Sequence, residues 1–196
     1  KLGTQKHAAA IFPQMDRAYK KASLMIQRHS IFIKGEEHCK WIDDCYLMVG
    51  KSQFYKQDYN SAIITFDYIA NTYKKSPLKN TALLWNALAN NQLKKFIKSE
   101  TILKNISAKS AASKADTWFT SNFPLVYADF YLKQELYSQA IPYLLDGIKL
   151  SKSKKITTRL HFILAQTYQR ENNLNKAAEH YEIVVKRNAP YEMIFN

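Results

Sequence analysis

LHFILAQTYQRENNLNKAAEHYEIVVKRNAP, residues 160–190, is the stretch that decides the fold. Leu164 and Ala165 fall together with Tyr168 one turn later, Asn172 and Asn173 interrupt the period, and Ala177, Tyr181 and Val184 restart it. A helical period that is broken by a polar pair and then resumes predicts two helices joined by a short turn and lying antiparallel. Small side chains at Ala165 and Ala177 let the two backbones approach closely, while Tyr168 and Tyr181 fill the space beside that contact. Such a hairpin leaves its outer faces uncovered. It needs neighbours of the same kind on either side, so the rest of the chain should contain copies.

Copies are present. The small/large alternation is that of a tetratricopeptide unit. Ala62, Phe66 and Ile69 repeat the spacing of Ala177, Tyr181 and Val184, with Asp58 placed to cap their helix and Gly50 standing on the preceding helix where a small residue is wanted. That preceding helix is expected from about His38, carrying Trp41, Cys45, Val49 and Phe54. Tyr127, Ala128 and Tyr131, followed by Tyr137, Ala140, Leu144 and Ile148, form another unit; Pro142 then lies near the start of its second helix if Ser138 is the cap. Between them, Ser76-Pro77 marks a helix start before Leu84, Trp85, Leu88 and Ala89, and the partner helix holds Ile97, Ile102, Leu103 and Ile106. This unit is degenerate, because Ser99 stands where Ala is usual and the turn lacks Gly. The small positions Ala62, Ser99, Ala140 and Ala177 are 37, 41 and 37 residues apart, which exceeds the repeat of roughly 34 and requires longer loops.

The expected fold is therefore all-α, an α-solenoid of stacked antiparallel helix hairpins with about 9–10 helices. A single tetratricopeptide-like superhelix is expected over residues 13–196, opening at Pro13 on a helix with Met15, Ala18, Ala22, Met25 and Ile26 along one face. Its clear units are 38–76, 122–152 and 156–190, with a degenerate unit at 77–106, an irregular insertion at 107–121 that Trp118 and Phe119 pack down, and an N-terminal extension at 1–12. Lys34 and Gly35 should break the first helix. With only 4 Gly and 5 Pro and no period-2 run, strands have almost no support. No apolar run approaches the roughly 18 to 20 residues that span a bilayer. The chain begins at Lys1 without Met or a signal pattern and ends part-way into another helix at Pro190, so it is expected to be an excerpt or a processed product.

Reactive chemistry has little footing. His38, Cys39 and Cys45 with Glu36 or Glu37 are zinc-ligand types, but closed zinc sites need two closely spaced pairs and no second pair exists. Cys39 and Cys45, six apart on one expected helix, point about 240° apart and form no bridge. His29, His161 and the Glu179-His180 pair read as structural residues, His161 falling where helix packing places a large side chain. No nucleophile triad, glycine-rich phosphate loop or paired carboxylate is found, so no enzyme, cofactor, metal or small-molecule substrate is expected. The 13 Tyr and 10 Phe fall mostly at packing positions, and no polar pair recurs in every unit, which argues against a nucleic-acid reader.

Several stretches are more particular: KKASLMIQRHS at 20–30, KWIDDCYLMVGKSQFYKQDYNSAI at 40–63, LVYADFYLKQELYSQAI at 125–141, HFILAQTYQ at 161–169 and NAPYEMIFN at 188–196. Together they resemble the tetratricopeptide region of the Bacteroidetes gliding-motility and type IX secretion lipoprotein family (SprE/PorW), most distinctively in WIDD at 41–44 and PYEM at 190–193. The resemblance implies a periplasmic adaptor, lipid-anchored to the outer membrane through a cysteine upstream of Lys1, whose partners are secretion and motility proteins. The residues alone also allow a generic peptide-binding module of another cell-envelope assembly, or an RNA-associated helical repeat.

Two surfaces are candidates for partner binding. Counting from the small positions places Lys51, Asn86, Asn90, Asp129 and Gln166 as polar groove residues on the first helices. Lysines also gather at the loops between hairpins, and Lys149, Lys152, Lys154, Lys155 and Arg159 form the densest group, a basic rim suited to an acidic protein surface or an anionic membrane in a chain of net charge +13. Replacing Lys152, Lys154 and Lys155 with Glu is expected to weaken partner capture in a salt-dependent way, measured by pull-down at two ionic strengths; unchanged capture removes the rim from consideration.

Overall fold

The computed structural model describes residues 5–106 and 117–187, and the expected insertion at 107–121 and the helix start at Pro190 fall largely or wholly outside them. Among the described residues there are nine helices in two compact units, Lys1–Asp116 and Thr117–Asn196. The first unit holds α1 (Gln5–His29), a two-stranded hairpin of β1 (Phe32–Ile33) and β2 (Glu36–Glu37), then α2 (Ile42–Tyr55), α3 (Tyr59–Thr72), α4 (Lys79–Gln92) and α5 (Phe96–Asn105). The second holds α6 (Thr117–Leu132), α7 (Tyr137–Leu150), α8 (Lys154–Arg170) and α9 (Leu174–Lys186). In each unit a helix packs on the one before it and the one after it, giving stacked hairpins α2/α3 and α4/α5 in the first and α6/α7 and α8/α9 in the second.

One backbone device makes all four hairpins. Gln57, Lys94, Glu135 and Asn172 are left-handed, with φ of 66°, 55°, 61° and 58°. The next residue turns its N–H back to a carbonyl five residues earlier, Asp58 to Gln53, Lys95 to Asn90, Leu136 to Tyr131 and Asn173 to Tyr168, at 2.9 to 3.0 Å. This is the Schellman closure of a helix C-terminus. The same residue starts the following helix, and where it is Asp58 or Asn173 its side chain accepts from Ser61 N or Lys176 N. Five residues after each left-handed residue stands a small side chain, Ala62, Ser99, Ala140 or Ala177, none more than 3% exposed.

Each core is built on these contacts. Phe66, fully buried, lies so close to Gly50 that a Cβ there would stand 2.5 Å from its ring. Trp85 of α4 stacks on Phe66 at 6.1 Å and meets Phe54 edge-on at 5.1 Å. In the second unit Ala128, Leu144, Leu160, Leu164, Tyr168 and Ala177 form one apolar cluster. Ser99 is no defect in its unit: its hydroxyl donates to Asn91 Oδ1 at 2.6 Å, with the Ala87 carbonyl as the alternative acceptor at 3.2 Å, so the smallest polar side chain serves a buried amide.

Several expected boundaries move. α1 runs through the exposed Pro13 instead of starting there, since the carbonyl that a proline leaves unbonded can be solvated at the surface. α7 starts at Tyr137 with Leu136 as its cap, so Ser138 is inside the helix and Pro142 lies beyond its first turn. Ser76 accepts from Leu78 N ahead of α4 instead of capping it, and its hydroxyl donates to Asp43. Cys39 precedes α2, so the two cysteines do not share a helix. Lys34 and Gly35, φ 51° and 83°, do not break the first helix, which already ends at His29; they form the two-residue turn of a β-hairpin pairing Ile33 with Glu36 and Phe32 with Glu37. Strand structure was not expected there. Two positive φ angles in a row suffice for it without alternation.

A non-glycine residue held left-handed costs stability that glycine avoids. Lys94→Gly is expected to raise unfolding stability by about 1 kcal/mol, and Asn172→Gly by less because asparagine tolerates this conformation. Urea midpoints of the two variants test the order.

Candidate functional site

α1, α3 and α5 are second helices of successive hairpins, and α2 and α4 lie as floors between them. Two pockets form on this face. The first, about 430 Å³, lies between α1 and α3 over α2 and is mainly apolar, lined by Tyr19, Ile26, Tyr46, Val49, Ile64 and Tyr68. Tyr46 rests 4.8 Å from Tyr68, and burial together with that neighbour pushes its hydroxyl pKa up to about 12, so it stays a neutral donor. Thr65 donates to Gln53 Oε1 at 2.7 Å beside the floor.

The second pocket, about 480 Å³, lies between α3 and α5 over α4; its open wall is also mainly apolar, but unlike the first it carries charged side chains, Asp67, Lys95 and Lys98, beside Asn86 and Asn90. Its base is an amide ladder. Asn86 Nδ2 donates to Asp67 Oδ1 at 2.7 Å, and Asn90 Nδ2 donates to Asn86 Oδ1 at 2.7 Å and to the Asn86 carbonyl at 3.0 Å. Among the described residues Asn90 Oδ1 has no hydrogen-bond partner although its residue is 2% exposed. Desolvation raises the Asp67 carboxyl pKa, against the Asn86 hydrogen bond and the Lys98 charge. Lys95 Nζ holds Asn60 Oδ1 at 3.2 Å on the rim. Ile64 lines both pockets, and it is 70% exposed, an apolar ridge between a recess without charged side chains and one that carries Asp67, Lys95 and Lys98.

Of the expected groove residues, Lys51, Asn86 and Asn90 lie in the first unit and Asp129 and Gln166 in the second. Asn86 and Asn90 are buried at the base of the second pocket. Lys51 reaches over Trp85, 5.5 Å from its ring centre. Asp129 is half-buried and paired with Lys133 at 2.9 Å, and Gln166 is exposed on α8. In the basic rim, Lys149 pairs with Asp146 at 3.4 Å, and Lys152, Lys154, Lys155 and Arg159 are exposed around the start of α8. Ile64, Asp67 and Lys98 were missed because they lie on second helices. Their signal was an isoleucine outside the Ala62-Phe66-Ile69 stripe.

α8 and α9 are also joined by an imidazole pair. His161 Nδ1 and His180 Nδ1 are 3.0 Å apart, so one ring donates and the other accepts. Tyr168 lies parallel to His180, with Lys176 over the tyrosine ring at 5.4 Å. Burial, the facing His180 and Arg187 lower the His161 pKa; burial and Lys176 lower that of His180 against the opposite pull of Glu179. Among the described residues no cluster of three or more His, Cys, Asp or Glu could hold a metal ion, and no helix is long and apolar enough to cross a membrane.

Comparison with known proteins agrees on the fold. A tetratricopeptide repeat family model matches residues 158–191, the α8/α9 hairpin with its flanks. Two solved structures, MamA 41-end from Desulfovibrio magneticus RS-1 and the MamA RS-1 ArsTM double mutant, are each similar with a TM-score of 0.62 at 14% identity, covering 94% of this chain and 92% of theirs. No curated protein sequence matches the chain. The fold is thus the all-α, tetratricopeptide-like one of stacked helix hairpins.

The imidazole pair sets a pH dependence. A histidine pKa lowered by folding leaves stability intact above the unfolded value of about 6.5, where both states are neutral, and removes it below, where only the unfolded chain takes up protons freely. The urea midpoint of the second unit, followed by backbone amide signals of α8 and α9, is expected to fall between about pH 7.5 and pH 5.5. His180→Gln should flatten that fall.

Proposed function

We propose that this chain is a non-enzymatic protein-interaction module that docks a segment of another protein along the second-helix face of its first unit. The observation that carries the reading is Ile64, 70% exposed between two recesses of unlike character. An isoleucine this exposed adds nothing to the core, yet it stands where a bound segment would cover it, with one apolar side chain entering beside Tyr19 and Tyr68 and a polar one entering above Asn86 and Asn90. Lys95 and Lys98 face the single carboxylate of Asp67 in the second recess and leave it net positive, in keeping with an acidic or amide-bearing segment and with the net charge of +13.

A narrower reading places the module in the periplasm as an adaptor of type IX secretion and gliding motility. It rests on the five resembling stretches, most distinctively WIDD at 41–44 and PYEM at 190–193. Three of the four WIDD residues also have structural employment: Trp41 meets His29 at 5.5 Å, Ile42 is fully buried and Asp43 ties down Ser76. The generic interaction reading therefore stands first. A lipoprotein signal ending in cysteine upstream of Lys1, and co-purification of secretion components from crosslinked envelopes, would support the narrower one.

Ile64→Asp and Lys98→Glu test the module. Peptides selected from a display library against the parent chain are expected to lose about tenfold or more in affinity to either variant, with folding unchanged because both positions are exposed. Peptides that bind the variants as tightly as the parent would place the docking surface elsewhere.

A further inference from the structure

The β1–β2 hairpin has no evident part in the helix stack, yet it is firmly built. Its root is fixed by one carboxylate: Glu37 accepts from the Ser30 hydroxyl, from Ile31 N at 2.8 Å and from Cys39 N at 2.9 Å. The His38 N–H closes onto the Ile31 carbonyl at 2.9 Å. Successive strand residues point to opposite faces, so a strand lying on a protein core buries every second side chain. Here Ile31, Phe32 and Ile33 are 53%, 50% and 52% exposed, which means that neither face of the hairpin lies on the core.

Charges of both signs flank this apolar run, since across the hairpin Phe32 faces Glu37 and Ile33 faces Glu36. Lys34 occupies the turn, and the cleft of about 740 Å³ between the hairpin and the α3–α4 connection carries Lys40, Lys74 and Lys75 with Phe32. Three carboxylates share that cleft, Glu36, Glu37 and Asp43, so that Lys34 in the turn with Lys40, Lys74 and Lys75 leaves the region net positive by one charge. Glu37 is used at the root, Asp43 takes the Ser76 hydroxyl, and Glu36 lies 3.4 Å from Lys75. Lys34, Lys40 and Lys74 are exposed and have no carboxylate partner among the described residues.

We propose that the hairpin is a membrane-contact element, in which Ile31, Phe32 and Ile33 enter the interfacial layer of an anionic bilayer while Lys34, Lys40 and Lys74 meet its head groups. A bilayer fits these observations better than a protein groove does. A run apolar on both faces can be received by lipid in any orientation, whereas a protein site would have to match both faces. Cations beside a short apolar insertion are the usual makings of peripheral attachment, in which charge and apolar contact each supply part of the affinity. This contact is independent of the groove at Ile64.

The test is co-sedimentation of the chain with phosphatidylglycerol-rich vesicles and with pure phosphatidylcholine vesicles, at low and high salt. The parent chain is expected to sediment with the anionic vesicles and to be released by salt. Phe32→Ser with Ile33→Ser, both at exposed positions, should lower partitioning by about tenfold or more. Lys40→Glu and Lys74→Glu should each lower it by at least about fivefold. A Phe32→Trp variant, read as a difference from the parent spectrum, should shift its added emission to the blue on anionic vesicles only. Ile64→Asp should leave vesicle binding intact, which separates failure of the groove from failure of the hairpin. The proposal is overturned if the parent chain ignores anionic vesicles, if the serine variant sediments like the parent, or if the Phe32→Trp emission does not move. Loss of a protein partner by the serine variant, in a chain that ignores vesicles, would make the hairpin a protein-docking element and would equally overturn it.

Discussion

Two helices can lie back to back only where neither carries a large side chain at the crossing, and the chain must reverse within three residues to bring them there. Both conditions are met by one unit of backbone geometry: a left-handed residue, a carbonyl captured five residues back, and a small side chain five residues on. Its four occurrences at Gln57, Lys94, Glu135 and Asn172 carry the spacings 37, 41 and 37, the same as those of Ala62, Ser99, Ala140 and Ala177. The longer middle spacing falls where residues 107–116 join the two units, so each unit keeps its own repeat.

Close crossing has a consequence for the surface. Helices drawn together at their small residues diverge elsewhere, and in the first unit that divergence leaves recesses between α1, α3 and α5. What floors each recess depends on the first helix beneath it. α2 presents Val49 with Gln53 beside it, and α4 presents Asn86 and Asn90, so neighbouring recesses differ in the side chains at their floors although the scaffold is the same. Burying amides under a helix crossing is costly unless they satisfy one another. The ladder from Asp67 through Asn86 to Asn90 does so at every atom except Asn90 Oδ1, and the Asn91–Ser99 bond settles the neighbouring amide.

The second unit uses its interior differently. Where the first unit places amides, α8 and α9 place two imidazoles 3.0 Å apart, backed by Tyr168 and Lys176. A pair that shares one proton holds the helices together while neutral and opposes them when doubly charged, so this hairpin is tied to pH in a way that the amide-bonded one is not.

The sequence, read outward from residues 160–190, was enough to determine the helix pairs and their small crossing positions Ala62, Ser99, Ala140 and Ala177, because a period of 3.6 and a small residue at a crossing are local properties of the chain. The Asp58 cap was equally legible. The place of the turns was legible too, but not their mechanism, since lysine, glutamine and glutamate carry no propensity for the left-handed conformation that the captured carbonyl imposes on them. Asn86 and Asn90 were recognised as polar positions on a first helix, but whether they face solvent or Asp67 depends on how α3 and α5 close over α4. Ile64 and Lys98 acquire meaning only from that closure. The β-hairpin likewise needed the fold: Ile31, Phe32 and Ile33 read as ordinary apolar residues after a helix, and only the packing of α1 on α2 leaves them outside the core. Sequence determined which residues could pair, and tertiary structure decided which faces those pairings left open, because exposure is set by neighbours distant in the chain.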